Sequence, residues 1–181
     1  MIDQAPQVLA GQVHGGRLRE FQDELADRML QADLAQGTRR LGLQIGDRRL
    51  LVDLAQAGRV APVPGSITPV PLARPWLVGL VNLGGSLVAV SDLQLWLGQG
   101  QTPLTKESRL LALGARLKLN AAILVTRMLG LQDTRNWPPS QSSDAAPEFL
   151  NASMTDPQGQ LWDELDLALL AANPQFRSAA F

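Results

Sequence analysis

Residues 77–98 read LVGLVNLGGSLVAVSDLQLWLG, and the spacing of their apolar side chains decides the fold. Val78, Leu80, Val81 and Leu83 lead into Gly84-Gly85, and a second apolar run from Leu87 to Val90 stops at Ser91-Asp92. Two short apolar runs joined by paired glycines predict a β-hairpin. Leu93, Leu95 and Leu97, closed by Gly98, predict a last half-turn of chain packed on the same core before a polar loop begins.

Upstream, Leu41, Leu43 and Ile45 alternate as far as Gly46-Asp47, and Leu50-Leu51-Val52 resume beyond it, which predicts a second hairpin with a tight turn. Between the hairpins, Val60, Val63, Ile67 and Val70 are interleaved with Pro62, Pro64, Pro69 and Pro71. Proline removes ladder donors, so this stretch is confined to an edge or an extended connection. Further upstream, Leu18, Phe21, Leu25 and Met29 recur at three and four, predicting an amphipathic helix over residues 17–35 that Gly37 closes. Residues 1–16 are polar and aperiodic and are expected to form a flexible tail.

Downstream, the polar linker GQGQTPLTKES precedes Leu110-Leu111-Ala112-Leu113, a short buried strand. The run from Ala121 to Leu131 has the length and β-branched content of a strand with a bend near Gly130, favoured over the alternative of a helix. Between Gln132 and Gln160 the chain reads as a long loop, with Trp137 and Phe149 as its large anchors. Pro157-Gln158-Gly159 predicts a turn, Leu161-Trp162 a final strand, and Leu165 to Ala172 a terminal helix ended by Asn173-Pro174. Many short strands with regularly placed turns favour a mainly β barrel architecture with helical ends.

Composition narrows the function. A chain of 181 residues with 45% hydrophobic content can fold as one substantial domain or as two small subdomains sharing a core. The net charge of −1, with both signs interspersed, disfavours a nucleic-acid or anionic-lipid partner. The absence of cysteine excludes disulfides and thiolate metal sites. With neither a signal-like start nor an apolar run of membrane-spanning length, a cytoplasmic location without membrane insertion is expected.

The pattern Gly79, Asn82-Leu83, Gly85, Asp92-Leu93, Leu97-Gly98 resembles the signature of CheW-like domains, adaptors that join chemoreceptors to a histidine kinase. Pro62-Val63-Pro64, Ile67-Thr68-Pro69-Val70-Pro71, Arg74-Pro75-Trp76 and the stretch Asp156 to Leu167 are similar to the PilI branch, which serves type IV pili. The resemblance covers Arg39 to Phe176 and is strongest before Gly98. It implies a mainly β domain over residues 17–176, with two SH3-like β-barrel subdomains sharing a hydrophobic core and a helix at each end. It also implies a scaffold, monomeric in isolation, with one surface for a CheA-like histidine kinase and another for the cytoplasmic tip of a methyl-accepting chemoreceptor. The kinase surface is expected around Ala57, Arg59 and Gly79, and the receptor surface around Asn82, Gly84, Gly85, Ser86 and Val125. Flagellar chemotaxis is the alternative to pilus-based twitching motility. Two positions depart from the family, which has an acidic residue more often at Arg59 and an arginine at Gly84; a pair across neighbouring strands would then be lost.

No catalytic, cofactor or metal site is expected. His14 is the only histidine and lies in the expected tail, which leaves a histidine-based triad or a multi-histidine metal site without support. Gly79, Gly84 and Gly85 are not followed by the Lys-Ser or Lys-Thr of a phosphate cradle, so a turn-forming role is favoured. Asp53 and Asp92 could pair for hydrolase chemistry, yet each ends an apolar strand, where a carboxylate bonds nearby backbone N–H groups. Trp76, Trp96, Trp137 and Trp162 read as core or interface anchors, because no basic patch accompanies them. The triplets Val52-Asp53-Leu54, Ser91-Asp92-Leu93 and Leu165-Asp166-Leu167 recur; three-letter repeats are common by chance, so coincidence is favoured over an echo of an internal duplication.

Overall fold

The Gly84-Gly85 pair closes its hairpin with φ values of 63° and 91°, a conformation open to glycine and strained for larger residues. The computed structural model describes residues 38–141 and 146–178. In chain order the strands are β1 (Arg39–Ile45), β2 (Arg48–Asp53), β3 (Ala57–Pro62), β4 (Leu77–Leu83), β5 (Ser86–Ser91), β6 (Arg109–Leu113) and β7 (Ala121–Val125). They are followed by β8 (Arg127–Asp133), β9 (Pro139–Ser140), β10 (Leu150–Thr155) and β11 (Leu161–Leu165). One sheet runs β8-β1-β2-β11-β10-β9 and the other β3-β6-β7-β5-β4. Pairing is antiparallel apart from β2 with β11 and β5 with β7.

Strands β6 and β7 join the two sheets into one core. Their residues alternate: Leu110, Ala122 and Leu124 pack with Val81, Val88 and Val90 inside the second sheet's barrel. Leu111, Leu113, Ile123 and Val125 point the other way, into a cluster with Leu43, Ile45, Leu50 and Val52 of the first sheet. A strand covered on both faces shows no alternation of polar residues, and all five residues of β7 are buried.

That continuous burial hid a strand boundary. The expected single strand over Ala121 to Leu131 is divided at Thr126, where the chain leaves the second sheet and enters the first. Thr126 donates its N–H to the Gln44 carbonyl (2.8 Å), and its Oγ1 accepts the Gly46 N–H (3.0 Å), so the crossing is pinned to the first hairpin turn. A bulge does fall beside Gly130: Gly42 pairs with Gly130 and Leu43 with Met128, leaving Leu129 unopposed.

The expected loop over Gln132 to Gln160 contains β9 and the six-residue strand β10. β10 reads LNASMT, with no apolar alternation, and is fixed by antiparallel pairing with β11. Phe149 is buried, and Trp137 lies against Trp162 at 5.4 Å between ring centroids. The terminal helix starts two residues later than expected. Leu165 still pairs with Leu150 in the sheet, and Asp166 caps the helix by accepting the Ala168 and Leu169 N–H groups. With α1 (Leu93–Trp96) as the first described helix, this one is α2 (Leu167–Ala172), and Asn173 caps a further α3 (Pro174–Arg177). Phe176 of α3 stacks on Trp76 (5.9 Å) and lies tilted against Trp96 (5.7 Å), and Trp96 stacks on Phe149 (5.2 Å), so these rings lock both short helices onto the core. The expected tail and N-terminal helix lie outside the described residues.

The β2/β11 pairing is short, with two residue pairs, and side-chain charges reinforce it. Arg40 reaches Glu164 (3.2 Å), Arg48 reaches Asp163 (3.4 Å), and Arg49 approaches Asp156 (3.8 Å). Asp156 also organises the Pro157-Gln158-Gly159 turn: Oδ1 accepts the Gln158 and Gln160 N–H groups, and Oδ2 accepts the indole N–H of Trp162 at 2.9 Å. Burial opposes its charge, but the indole, the two amides and Arg49 outweigh that effect and hold the carboxyl below its ordinary value of 3.8. Asp133, clasped by Arg135, is held at about 2.

A group whose folded pKa is depressed contributes stability above its unfolded pKa and loses it as pH falls. Urea midpoints are therefore expected to drop as pH falls from about 5 to about 2. Asp156→Asn is expected to lower the midpoint at neutral pH and to flatten this acid dependence; an unchanged slope would remove Asp156 from the acid response.

Candidate functional site

The second barrel is open at one end, and most of the residues expected to meet partners gather there. Leu83 ends β4, Ser86 begins β5, Leu113 ends β6, Ala121 begins β7, and Gly58 and Arg59 lie near the start of β3, so five strand termini converge on one mouth. The opening encloses about 370 Å³ and is lined by Arg59, Leu83, Ser86, Val88, Leu113 and Lys118, among others.

Local backbone chemistry builds its rim. Asn82 Oδ1 accepts the Gly85 N–H at 2.8 Å, bracing the hairpin turn from within. Asn82, Gly84, Gly85 and Ser86 are all exposed. The Arg59 guanidinium lies against Gly84, where a Cβ would collide with Nη1. β3 and β4 are the two edge strands of their sheet, so this contact spans the barrel's open seam between edges, in place of the expected neighbouring-strand relation. Arg59, expected on a kinase surface, and Gly84, expected on a receptor surface, thus share one patch. Ala57 begins the same strand and is half-buried against the shared core.

Two expected contact residues stand apart from this rim. Gly79 is buried in β4 with φ 149°, and its Cβ would meet the Thr68 carbonyl and the Ile67 side chain. Its close neighbour is therefore the chain's own Pro-rich segment, held by the Thr68–Leu80 bridge. Val125 is fully buried in the shared core. Neither presents a side chain to a partner.

Lys118 was not legible from sequence as part of the site. It follows the 3-10 turn Ala115–Leu117 with φ 52°, and only closure of the barrel brings it to the mouth beside Leu83. A basic residue flanked by Leu117 and Leu119 was the one available signal, and it is a weak one.

The two strand-end aspartates do not form a reactive pair. Asp92 is buried; Oδ1 accepts the Leu95 N–H (3.2 Å) and the Thr102 hydroxyl (2.7 Å), and Oδ2 accepts the Thr102 N–H (2.8 Å). Asp53 accepts the Ala55 N–H at 2.8 Å and faces Arg40 at 3.8 Å. Three of the four oxygens accept hydrogen bonds that set chain direction and the fourth, Asp53 Oδ2, faces Arg40, so each carboxylate is committed at its own strand end. Asp166 repeats this use at the third triplet, so strand-end capping is the physical role the three triplets share.

An apolar opening rimmed by a rigid turn, on a pair of small barrels with a common core, describes a binding scaffold. The CheW-like domain family matches residues 39–175, and the chain belongs to that family. It is 28% identical over 102 residues to protein PilI of Pseudomonas aeruginosa, a match spanning 56% of each chain. Its fold is similar to the crystal structure of the scaffolding protein TtCheW from Thermoanaerobacter tengcongensis, with a TM-score of 0.65 and 17% identity over 77% of this chain and 90% of that one. The two barrels are accordingly SH3-like, and as a member of the CheW-like family the domain is an adaptor, not an enzyme. No helix among the described residues is long and apolar enough to cross a membrane.

Gly79→Ala is expected to cost about 2 kcal/mol in urea unfolding, because the added methyl meets a backbone carbonyl. Undiminished stability together with lost partner binding would return Gly79 to the contact surface.

Proposed function

We propose that this chain is a cytoplasmic chemosensory adaptor that couples a methyl-accepting receptor to a CheA-like histidine kinase in the control of type IV pilus motility. The observation that carries this reading is the match to the CheW-like family across both barrels, joined to an exposed, apolar-floored rim with no committed chemistry. The similarity to PilI favours the pilus system; the likeness to TtCheW concerns the fold alone and does not favour the flagellar alternative.

The mechanism is free-energy coupling. A scaffold that binds receptor and kinase together makes the affinity of each sensitive to the state of the other, by a coupling free energy of roughly 1–3 kcal/mol. Rigid strand-end attachment of the rim suits this role, since a partner meets a surface whose ordering cost is already met. Kinase contact is assigned to the mouth, where Arg59 and the hairpin tip from Asn82 to Ser86 form one patch, and receptor contact to a separate face of the domain.

Deleting the gene is expected to abolish twitching zones while leaving flagellar swimming intact, and the purified full chain is expected to form a ternary complex with the receptor's cytoplasmic tip and the kinase. Ser86→Trp, on an exposed strand start, is expected to weaken that complex about tenfold with no loss of thermal stability. Normal twitching in the deletion strain, or a ternary complex indifferent to Ser86→Trp, would contradict the reading or this surface respectively.

A further inference from the structure

Arg59 and Lys118 both line the mouth of the second barrel, above the apolar side chains of Leu83, Val88 and Leu113. Both are exposed, and among the described residues neither joins an ion pair and no carboxylate lines the opening. In the first sheet, by contrast, Arg40, Arg48 and Arg49 each face an acid of β11 or its preceding turn, and Arg127 donates to Gln44 Oε1 at 2.8 Å. Among the described residues, the mouth therefore holds two cations with no counter-ion.

Their backbone is fixed. Arg59 sits at the register shift between Ala57 and Val60 on β3, with its guanidinium against Gly84. Lys118 is held in the left-handed region after its 3-10 turn, its N–H donated to the Ala115 carbonyl at 3.2 Å. Covering these groups with a neutral or basic surface would strip water from two charges and return nothing, whereas carboxylates would replace that water with charge-assisted hydrogen bonds. The apolar floor adds a place for one side chain of a partner.

We propose that the mouth of the second barrel docks an acidic, partly apolar segment of a partner protein, with its carboxylates on Arg59 and Lys118 and an apolar side chain over Leu83 and Val88. This rests on the adaptor reading for the partner's identity but not for its charge. Gly84 serves the site by leaving room for the Arg59 guanidinium; a side chain there would displace it.

The test uses the full chain labelled with nitrogen-15 and two capped peptides, one alternating glutamate with leucine and one alternating lysine with leucine. The acidic peptide is expected to shift the amides of Arg59, Leu83, Ser86 and Lys118, and to bind about tenfold more weakly at about 300 mM than at about 50 mM salt. The Arg59→Glu, Lys118→Glu double variant, with an unchanged thermal midpoint, is expected to weaken the acidic peptide at least about tenfold. Equal binding of the basic peptide, shifts confined to other regions, or a double variant that binds as the parent does would each overturn the inference. A pull-down with the kinase separates the two claims. If the parent chain binds kinase and the double variant binds it equally, the acidic-segment proposal fails and the adaptor reading stands. If the parent binds neither kinase nor receptor, the adaptor reading fails, and the peptide titration alone decides the chemistry of the mouth.

Discussion

Burial of β6 and β7 on both faces is the constraint from which the rest of the molecule follows. One face of each strand completes the second barrel, through Leu110, Ala122 and Leu124, and the other completes the core of the first, through Leu111, Ile123 and Val125. Neither barrel could be removed without exposing the apolar side chains that the other covers. At roughly 25 cal/mol per Å² of apolar surface kept from water, a shared layer of this kind couples the two barrels far more tightly than their few polar contacts do. Surface pairs such as Arg48 with Asp163 guide strand pairing and contribute little by comparison.

Rigidity at the mouth is a consequence of that arrangement. Strands whose middles are locked by two cores present fixed ends, and the mouth is composed of strand ends. Arg59, Ser86 and Lys118 therefore owe their positions to residues such as Ile123 that they do not touch. For a scaffold this is useful, because a partner bound at the mouth and another bound elsewhere on the domain meet a single body. The strand-end aspartates serve the same end: Asp53, Asp92 and Asp166 each turn the chain sharply where a strand leaves the core.

What could be read from the sequence was what depends on neighbours along the chain. The Gly84-Gly85 hairpin, the Gly46-Asp47 turn and the edge character of the Pro-rich segment each follow from local backbone chemistry. The boundary at Thr126 did not, because a run buried on both faces looks the same whether it ends or continues. β10 escaped notice since LNASMT has no pattern of its own and takes its strand form from β11. At the site, the exposed turn residues were visible as a motif, whereas the apposition of Arg59 with Gly84, the burial of Gly79 under Thr68 and the arrival of Lys118 all require the barrel to close. The family resemblance gave Arg59 and Gly84 to different surfaces, and only the folded barrel shows that the two lie side by side.

Native-state hydrogen exchange on Ile123→Ala tests the shared core most directly. Loss of this buried side chain is expected to lower the opening free energies of slow amides in β1 and β2 and in β4 and β5 by the same amount, about 3 kcal/mol. A loss confined to β1 and β2, or to β4 and β5, with the other pair protected as before, would show two barrels that fold independently and would contradict the account.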